Sequence, residues 1–458
     1  MAIAILNPAT GAVEREYAAH TPAEVEAGIA AADAAVRALA ATTFAQRAEW
    51  MRAAADILES EVEQVAETMT REMGKPIGAA RAEALKCVRG MRFYAERAEG
   101  FLADQPLADP GAVNASGAWS RYEPLGVVLA VMPWNFPFWQ VIRFAAPALM
   151  AGNTGLLKHA SNVPASALYL GELFTRGGFP AGAFGTLLIG SGEVKAVIED
   201  PRVKAVTLTG SEPAGRSVAS IAAAQVKKSV LELGGSDPFI VMPSADLDAA
   251  IATAVTARVQ NNGQSCIAAK RFLVHADVYD RFTEGFVSAM SALRMGDPLD
   301  EATQVGPVAT ESGRDELVEL VGDAVAKGAD VLVGGTAPVG PGWFYPPTVV
   351  AGVTPEMRLY REETFGPVAG LYRVAGIDEA IEVANATTFG LSSAAWTADK
   401  AEQDRFVREL QAGAVFINGM TISYPELPFG GIKNSGFGRE LAAEGIREFC
   451  NLKTVWVG

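Results

Sequence analysis

The sequence predicts an α/β protein: a helical leading segment followed by two regions of parallel sheet. Three observations carry this. Residues 22–100 hold Ala, Glu, Arg and Leu in long periodic stretches that favour helix. From Ser120 short apolar runs alternate with helix-like segments, the signature of parallel strands joined by crossover helices. A second alternating region runs from about Pro238 to Asn418.

The elements follow in order. Thr21 or Thr42 can cap helices in the leading segment, because a hydroxyl accepts from the free N–H groups of a first turn. Gly74-Lys75-Pro76 punctuates the segment. The first strands are expected at Val127–Met132, Thr154–Leu157, Thr186–Ile189, Ala205–Leu208 and Ser229–Leu233. The second set is expected at Phe239–Met242, Phe272–Val274, Val331–Val333 and Val415–Asn418. Pro and Gly cluster between Gly334 and Pro347, which reads as a surface loop. There is no internal repeat and no low-complexity segment.

At 458 residues the chain has the length of about three domains and buries enough surface to need no disulfides. Cys87, Cys266 and Cys450 are odd in number, far apart and free of CxxC spacing. They fit a reducing cytoplasm and no zinc site. A net charge of −15 argues against nonspecific nucleic-acid binding. The opening MAIAILNPATG lacks the basic and apolar regions of a signal peptide. Apolar runs such as Gly126–Met132 fall far short of the roughly 18 residues a membrane span needs.

Three short stretches carry chemistry. QNNGQSCIAAKR, residues 260–271, leads amides and a glycine into Cys266 and follows it with Lys270 and Arg271. A free cysteine is most often a small buried hydrophobe. Nearby donors and cations are also what a reactive thiolate needs. LELGG, 231–235, ends an apolar strand on Glu232. That carboxylate either bonds nearby backbone or, raised by burial, acts as a general base. PWNFP, 133–137, sets Asn135 between aromatics and prolines. It is either a turn residue or a rigid donor to a developing oxyanion.

Beyond it, Pro137 fits a first helical turn, and Phe136, Trp139, Gln140 and Arg143 share one helix face. Such a face is either a core stripe with Arg143 snorkelling out or an aromatic wall ending in a carboxylate-binding fork.

Taken together these segments resemble the aldehyde dehydrogenase superfamily. The matching pieces are PWNFP (133–137), LLKHAS (156–161), LTGSEPAG (208–215), LELGG (231–235), GQSC (263–266), EETFGPV (362–368) and PFGGIKNSGFGRE (428–440). The likeness extends to the short bacterial type of NADP-dependent succinate-semialdehyde dehydrogenase through KHASNVP (158–164), NNGQSCIAAKRF (261–272) and PELPFGGIK (425–433).

The resemblance implies a Rossmann-like cofactor domain over 1–104 and 125–234 and an α/β catalytic domain over 235–427. It implies a small β oligomerisation arm and bridging elements over 105–124 and 428–458, in a homodimer or homotetramer. Cys266 would attack an aldehyde carbon, the Asn135 amide and the Cys266 N–H would hold the oxyanion, and Glu232 would activate water against the thioester.

Trp134, Lys158, Ser161, Gly210, Ser211, Gly215, Glu363 and Phe365 would bind the cofactor. The turn Gly210 to Gly215 would offer a helix N-terminus to its pyrophosphate, although that spacing alone is equally a plain strand-to-helix turn. Ser161 stands where NAD-preferring members often carry Glu, so NADP is expected, with NAD possible.

Arg143 and Ser423 match substrate-carboxylate contacts, with Trp139 and Gln140 beside them. Gln260 departs from larger members, which place a second arginine there. The expected substrate is an aldehyde with a distal carboxylate, succinate semialdehyde first. Glutarate-type, neutral or aromatic aldehydes, or a noncatalytic scaffold, remain as rivals. No metal, nucleic acid or membrane is expected.

Overall fold

In the computed structural model, which describes residues 2–458, four helices make up the leading segment: Pro22–Ala40, Phe44–Ser60, Val62–Met73 and Ile77–Phe101. Thr21 closes a capping box on the first. Its hydroxyl accepts from Glu24 N (3.3 Å) while the Glu24 carboxylate accepts from Thr21 N (2.7 Å). The second helix is capped by Thr43, not by the expected Thr42. Thr43 has the extended backbone a cap needs and accepts from Gln46 N at 3.2 Å. Thr42 instead serves the preceding helix, donating to Leu39 O at 2.7 Å. Gly74 ends the third helix at φ 80°, and a Cβ there would sit 2.8 Å from the Pro307 carbonyl.

Five parallel strands and one short antiparallel one build the first sheet. Its order is Gly436–Phe437, Lys228–Glu232, Val203–Thr209, Val127–Met132, Thr154–His159, Phe184–Thr186. The strand expected at Thr186–Ile189 lies earlier, because only Phe184, Gly185 and Thr186 pair with their neighbour. Leu187 and Ile189 are buried just beyond the paired residues, with Leu187 N donating to Leu157 O at 2.8 Å. The chain order outward from the centre reverses between Val127–Met132 and Val203–Thr209, which makes that gap a topological switch point.

The second sheet has seven strands: Asp330–Val333, Thr348–Ala351, Val368–Val374, Ala269–His275, Asp237–Val241, Ser393–Trp396 and Val415–Ile417. All pairs but the first are parallel. Three of these strands, Thr348–Ala351, Val368–Val374 and Ser393–Trp396, were not anticipated. Val368–Val374 carries Gly370 and Arg373, which break an apolar run, and the other two are only four residues long. The loop from Gly334 to Pro347 is present, although it buries Trp343 and Tyr345 against the second core.

A third, antiparallel sheet joins Gln105–Pro106, Gly117–Pro124 and Cys450–Val457. Leu452 and Trp456 are exposed on it. Among the described residues no helix is long and apolar enough to cross a membrane.

Thr43→Ala removes one cap and is expected to lower unfolding stability by about 1 kcal/mol, read as a shift in the denaturant midpoint at unchanged slope.

Candidate active site

The C-terminal ends of the two switch-point strands run into Pro133-Trp134-Asn135 and Gly210-Ser211. A cleft of about 360 Å³ opens there, and Trp134, Asn135, Gly210, Ser211, Cys266, Glu363 and Phe365 all line it. Seven expected site residues, distant in sequence, thus meet on one surface.

Backbone geometry delivers Cys266. Asn261 (φ 55°), Asn262 (φ 58°) and Gly263 (φ 74°) lie in succession in the left-handed region. Asn tolerates that region better than other side chains, and Gly occupies it freely. A Cβ at Gly263 would fall 2.3 Å from Gly366, so the loop presses on the EETFGPV segment.

The amides then pin the turn. Asn262 donates to Gly74 O and Pro307 O (both 2.9 Å) and accepts from Gly306 N (2.8 Å). Asn261 donates to Asn135 O (2.7 Å) and Gln264 O (3.0 Å), and Gln264 accepts from Ala309 N (2.9 Å). These amides therefore serve loop backbone and do not face the thiol. Arg271 is likewise structural, capping the carbonyls of Ser236, Val383 and Ala384. Lys270 is closer to the chemistry. Its ammonium donates to Ser265 O (2.8 Å) and Cys266 O (2.6 Å) and pairs with Glu363 at 3.2 Å.

Cys266 is half-buried. Burial pushes its thiol up to about 12, against the opposing charges of Lys270 and Arg143. Asn135 donates to Gln264 O at 3.2 Å, which leaves one amide proton uncommitted beside the cysteine. His159, at the end of Thr154–His159, steadies this loop. Its Nδ1 lies 2.9 Å from Ala160 N and its Nε2 lies 2.9 Å from Pro137 O. With Nδ1 accepting, Nε2 carries the proton and donates. Burial lowers its pKa to about 4, so the ring stays neutral. Sequence reading overlooked it, since one histidine in an apolar strand carries no pattern.

Glu232 ends its strand beneath the cleft without lining it. It is buried, and neither carboxyl oxygen has a hydrogen-bond partner among the described residues. Burial and then the charge of Glu440 raise its pKa well above the usual carboxylate range, while Arg143 opposes them. Gly436 pairs opposite Glu232, and Ser435 O accepts from Leu233 N at 2.9 Å, so the C-terminal segment holds this strand end.

On the cofactor side, Ser211 precedes the Glu212–Ala224 helix without its hydroxyl capping it, which leaves first-turn N–H groups free. Lys158, next to last in its strand, is nearly buried, with no ion pair among the described residues. Ser161 is half-buried and its carbonyl accepts from Ala4 N at 3.1 Å. Gly215 does not line the cleft. A Cβ there would come within 2.5 Å of Leu233, so its smallness lets helix pack on strand. Glu363 accepts from Gly235 N at 3.1 Å, and Phe365 meets Trp134 edge-on at 5.7 Å.

The expected substrate face departs more. Pro137 lies in a turn ahead of the helix, which starts at Trp139, and every residue of Trp139–Ala151 is buried. The four residues therefore do not form one wall with a free fork. Arg143 is buried in an ion pair with Glu440 and stacks 4.7 Å from the Phe429 ring. Its charge is met inside the protein by Glu440. Gln140 is buried with its carbonyl oxygen unpartnered. Trp139 Nε1 donates to Ser423 at 2.9 Å.

Comparison with known proteins agrees with this geometry. The aldehyde dehydrogenase family profile matches residues 1–455. The chain belongs to the aldehyde dehydrogenase family. It is 65% identical over 459 residues to a succinate-semialdehyde dehydrogenase [NADP(+)] of Mycobacterium avium (strain 104), covering all of this chain and 97% of that protein. It is 64% identical over 457 residues to succinate-semialdehyde dehydrogenase [NADP(+)] 1 of Mycobacterium tuberculosis (strain ATCC 25618 / H37Rv), covering both completely. Among solved structures it superposes on a succinic semialdehyde dehydrogenase of Streptococcus pyogenes in complex with NADP+, with TM-score 0.96, 35% identity and 99% of each chain covered.

For this aldehyde dehydrogenase, alkylation of Cys266 by iodoacetamide, without cofactor and mapped by mass spectrometry, is expected to rise about tenfold per pH unit from pH 7 to pH 10 without a plateau. Asn262→Ala removes three buried hydrogen bonds and is expected to cost about 2 kcal/mol in denaturant unfolding, with kcat falling as Cys266 loses its placement.

Proposed function

We propose that this aldehyde dehydrogenase oxidises succinate semialdehyde to succinate with NADP. The observation that carries the reading is Cys266 and Asn135 on one cleft with an unpartnered Glu232 beneath it, in a chain 64–65% identical to enzymes of that name.

The cleft fits the cofactor. Free N–H groups at the start of the Glu212–Ala224 helix suit a pyrophosphate, and Lys158 has positive charge without an internal partner. Ser161, in place of a carboxylate, leaves a 2′-phosphate unrepelled. Glu363 and Phe365 hold the nicotinamide end. When bound, NADP supplies the hydride acceptor.

Cys266 adds its sulfur to the aldehyde carbon after its thiol proton has passed to water in the cleft, because burial keeps the resting thiol protonated. The free Asn135 amide proton and the Cys266 N–H take up the oxygen charge. Loss of hydride leaves a thioester on Cys266. Glu232 then removes a proton from water, and that water releases the acid. A raised pKa suits this role, since a carboxylate whose pKa lies above the usual range is a stronger base.

A second reading, a neutral or aromatic aldehyde, draws on the Arg143–Glu440 pairing and on the aromatic rings of Phe136, Trp139 and Phe429 nearby. The antiparallel sheet with exposed Leu452 and Trp456 supports a homo-oligomer built through that arm. Three unpaired cysteines and the absence of a membrane-crossing helix among the described residues support a cytoplasmic location.

Steady-state kinetics across several aldehydes and both cofactors test the reading. Succinate semialdehyde is expected to give the highest kcat/KM, and NADP a lower KM than NAD; the reverse order in either arm rejects that part. Cys266→Ala is expected to abolish turnover, and Asn135→Ala to lower kcat by roughly 100- to 1000-fold.

A further inference from the structure

Lys270 is buried against the turn that carries the nucleophile, and the steps above leave it unused. Its ammonium has three protons and meets three acceptors: Ser265 O (2.8 Å), Cys266 O (2.6 Å) and the Glu363 carboxylate (3.2 Å). The charge therefore has a fixed place. It touches the peptides on both sides of the Cys266 Cα and one carboxylate on the cleft wall.

The bond to Ser265 O has a geometric consequence. Ser265 to Ala268 form a tight turn, closed by Ala268 N donating to Ser265 O at 3.1 Å. The Ser265–Cys266 peptide is trans, so its N–H points opposite to its C=O. A lysine clamped on the oxygen end thus aims the Cys266 N–H away from the buried side. That N–H has no backbone acceptor among the described residues. A cation on the carbonyl also polarises the amide, and a polarised N–H is a stronger donor. This N–H is one of the two donors to the oxyanion.

Glu363 partly offsets the ammonium. It accepts from Gly235 N at 3.1 Å and is the more exposed of the two partners. Lys270 and Arg143 favour the Cys266 thiolate, while Glu363 and Glu232 oppose it. Asp237, buried on the neighbouring strand with Oδ2 unpartnered, also feels Lys270, and burial pushes its carboxyl up to about 7.

We propose that Lys270 is a positioning residue for this reaction: its ammonium aims and polarises the Cys266 N–H for the oxyanion and ties that turn to Glu363 on the cleft wall. The proposal rests on Cys266 as the nucleophile of the reading above.

The test reads turnover and thiol reactivity together in full-length enzyme. Lys270→Met is expected to lower kcat for succinate semialdehyde with NADP at least about tenfold, part of the roughly 100- to 1000-fold that a lost oxyanion donor costs, while KM stays within about threefold. It is also expected to slow iodoacetamide alkylation of Cys266 at pH 8 without cofactor about tenfold, since a charge favouring the thiolate is gone. Lys270→Arg, which keeps the charge, is expected to hold alkylation within about threefold of wild type. Glu363→Gln, which leaves Lys270 unopposed, is expected to speed alkylation about threefold. A turn that has merely loosened exposes the thiol, and Lys270→Met then alkylates faster than wild type. Unchanged kcat or unslowed alkylation in Lys270→Met, or alkylation in Glu363→Gln that is no faster than wild type, overturns the proposal while the function stands. If Lys270→Met does not yield folded enzyme, the Glu363→Gln arm decides alone. Full turnover in Cys266→Ala overturns the function itself, and this proposal with it.

Discussion

Three left-handed residues in a row make the site possible. Asn261, Asn262 and Gly263 reverse the chain and set Cys266 on the wall of the cleft, just ahead of the Ala269–His275 strand. Such a run is costly for most side chains, and a short loop could not hold it unaided. The amides offset that cost by bonding backbone from three other segments: Gly74, Gly306 to Pro307, and Asn135. Cys266 and Asn135 are thus tied to one another through the Asn261 amide, which donates to Asn135 O at 2.7 Å.

Buried charge is the second organising feature. Glu232, Glu440 and Arg143 lie buried together, with Arg143 paired to Glu440 and Glu232 unpartnered among the described residues. Burial and the neighbouring Glu440 charge raise the pKa of Glu232 well above the usual carboxylate range, and burial raises that of Glu440. Buried charge serves architecture as well. Glu83, paired with Lys75, receives the N–H groups of Phe138 and Trp139 and so fixes the helix that carries Arg143. Glu72, pushed up to about 8 by burial, takes up Ala165 N and Ser166 N at the start of the Pro164–Arg176 helix. Removing water from these groups is costly, and each recovers part of it through bonds to backbone that would otherwise be unmet.

Much of the fold was legible in residue pattern. Strands with continuous apolar runs, such as Val127–Met132 and Phe272–Val274, were found because burial on both faces writes itself as uninterrupted Val, Leu and Phe. Val368–Val374 was missed because Gly370 and Arg373 interrupt that signal, although the sheet around it supplies the pairing. Thr42 was read for Thr43 because both are good caps, and only the backbone angle of Thr43 separates them. Within the site, Asn135, Cys266 and Glu232 stood out because each departs from its local pattern, such as a carboxylate ending an apolar strand or amides and glycine crowding a cysteine, whereas the cofactor-side residues of the cleft were reached only through the family resemblance.

By itself the sequence determined the order of helices and strands, the reactive groups available and the family to which they belong, since these follow from local composition and from motifs in fixed order. It did not determine which charge meets which. Arg143 pairs with Glu440, almost 300 residues later, and Lys86 finds Ser423, 337 residues later. Those pairings are settled by the three-dimensional balance between desolvation and attraction. That balance depends on what else is buried nearby, and no local stretch of sequence contains it.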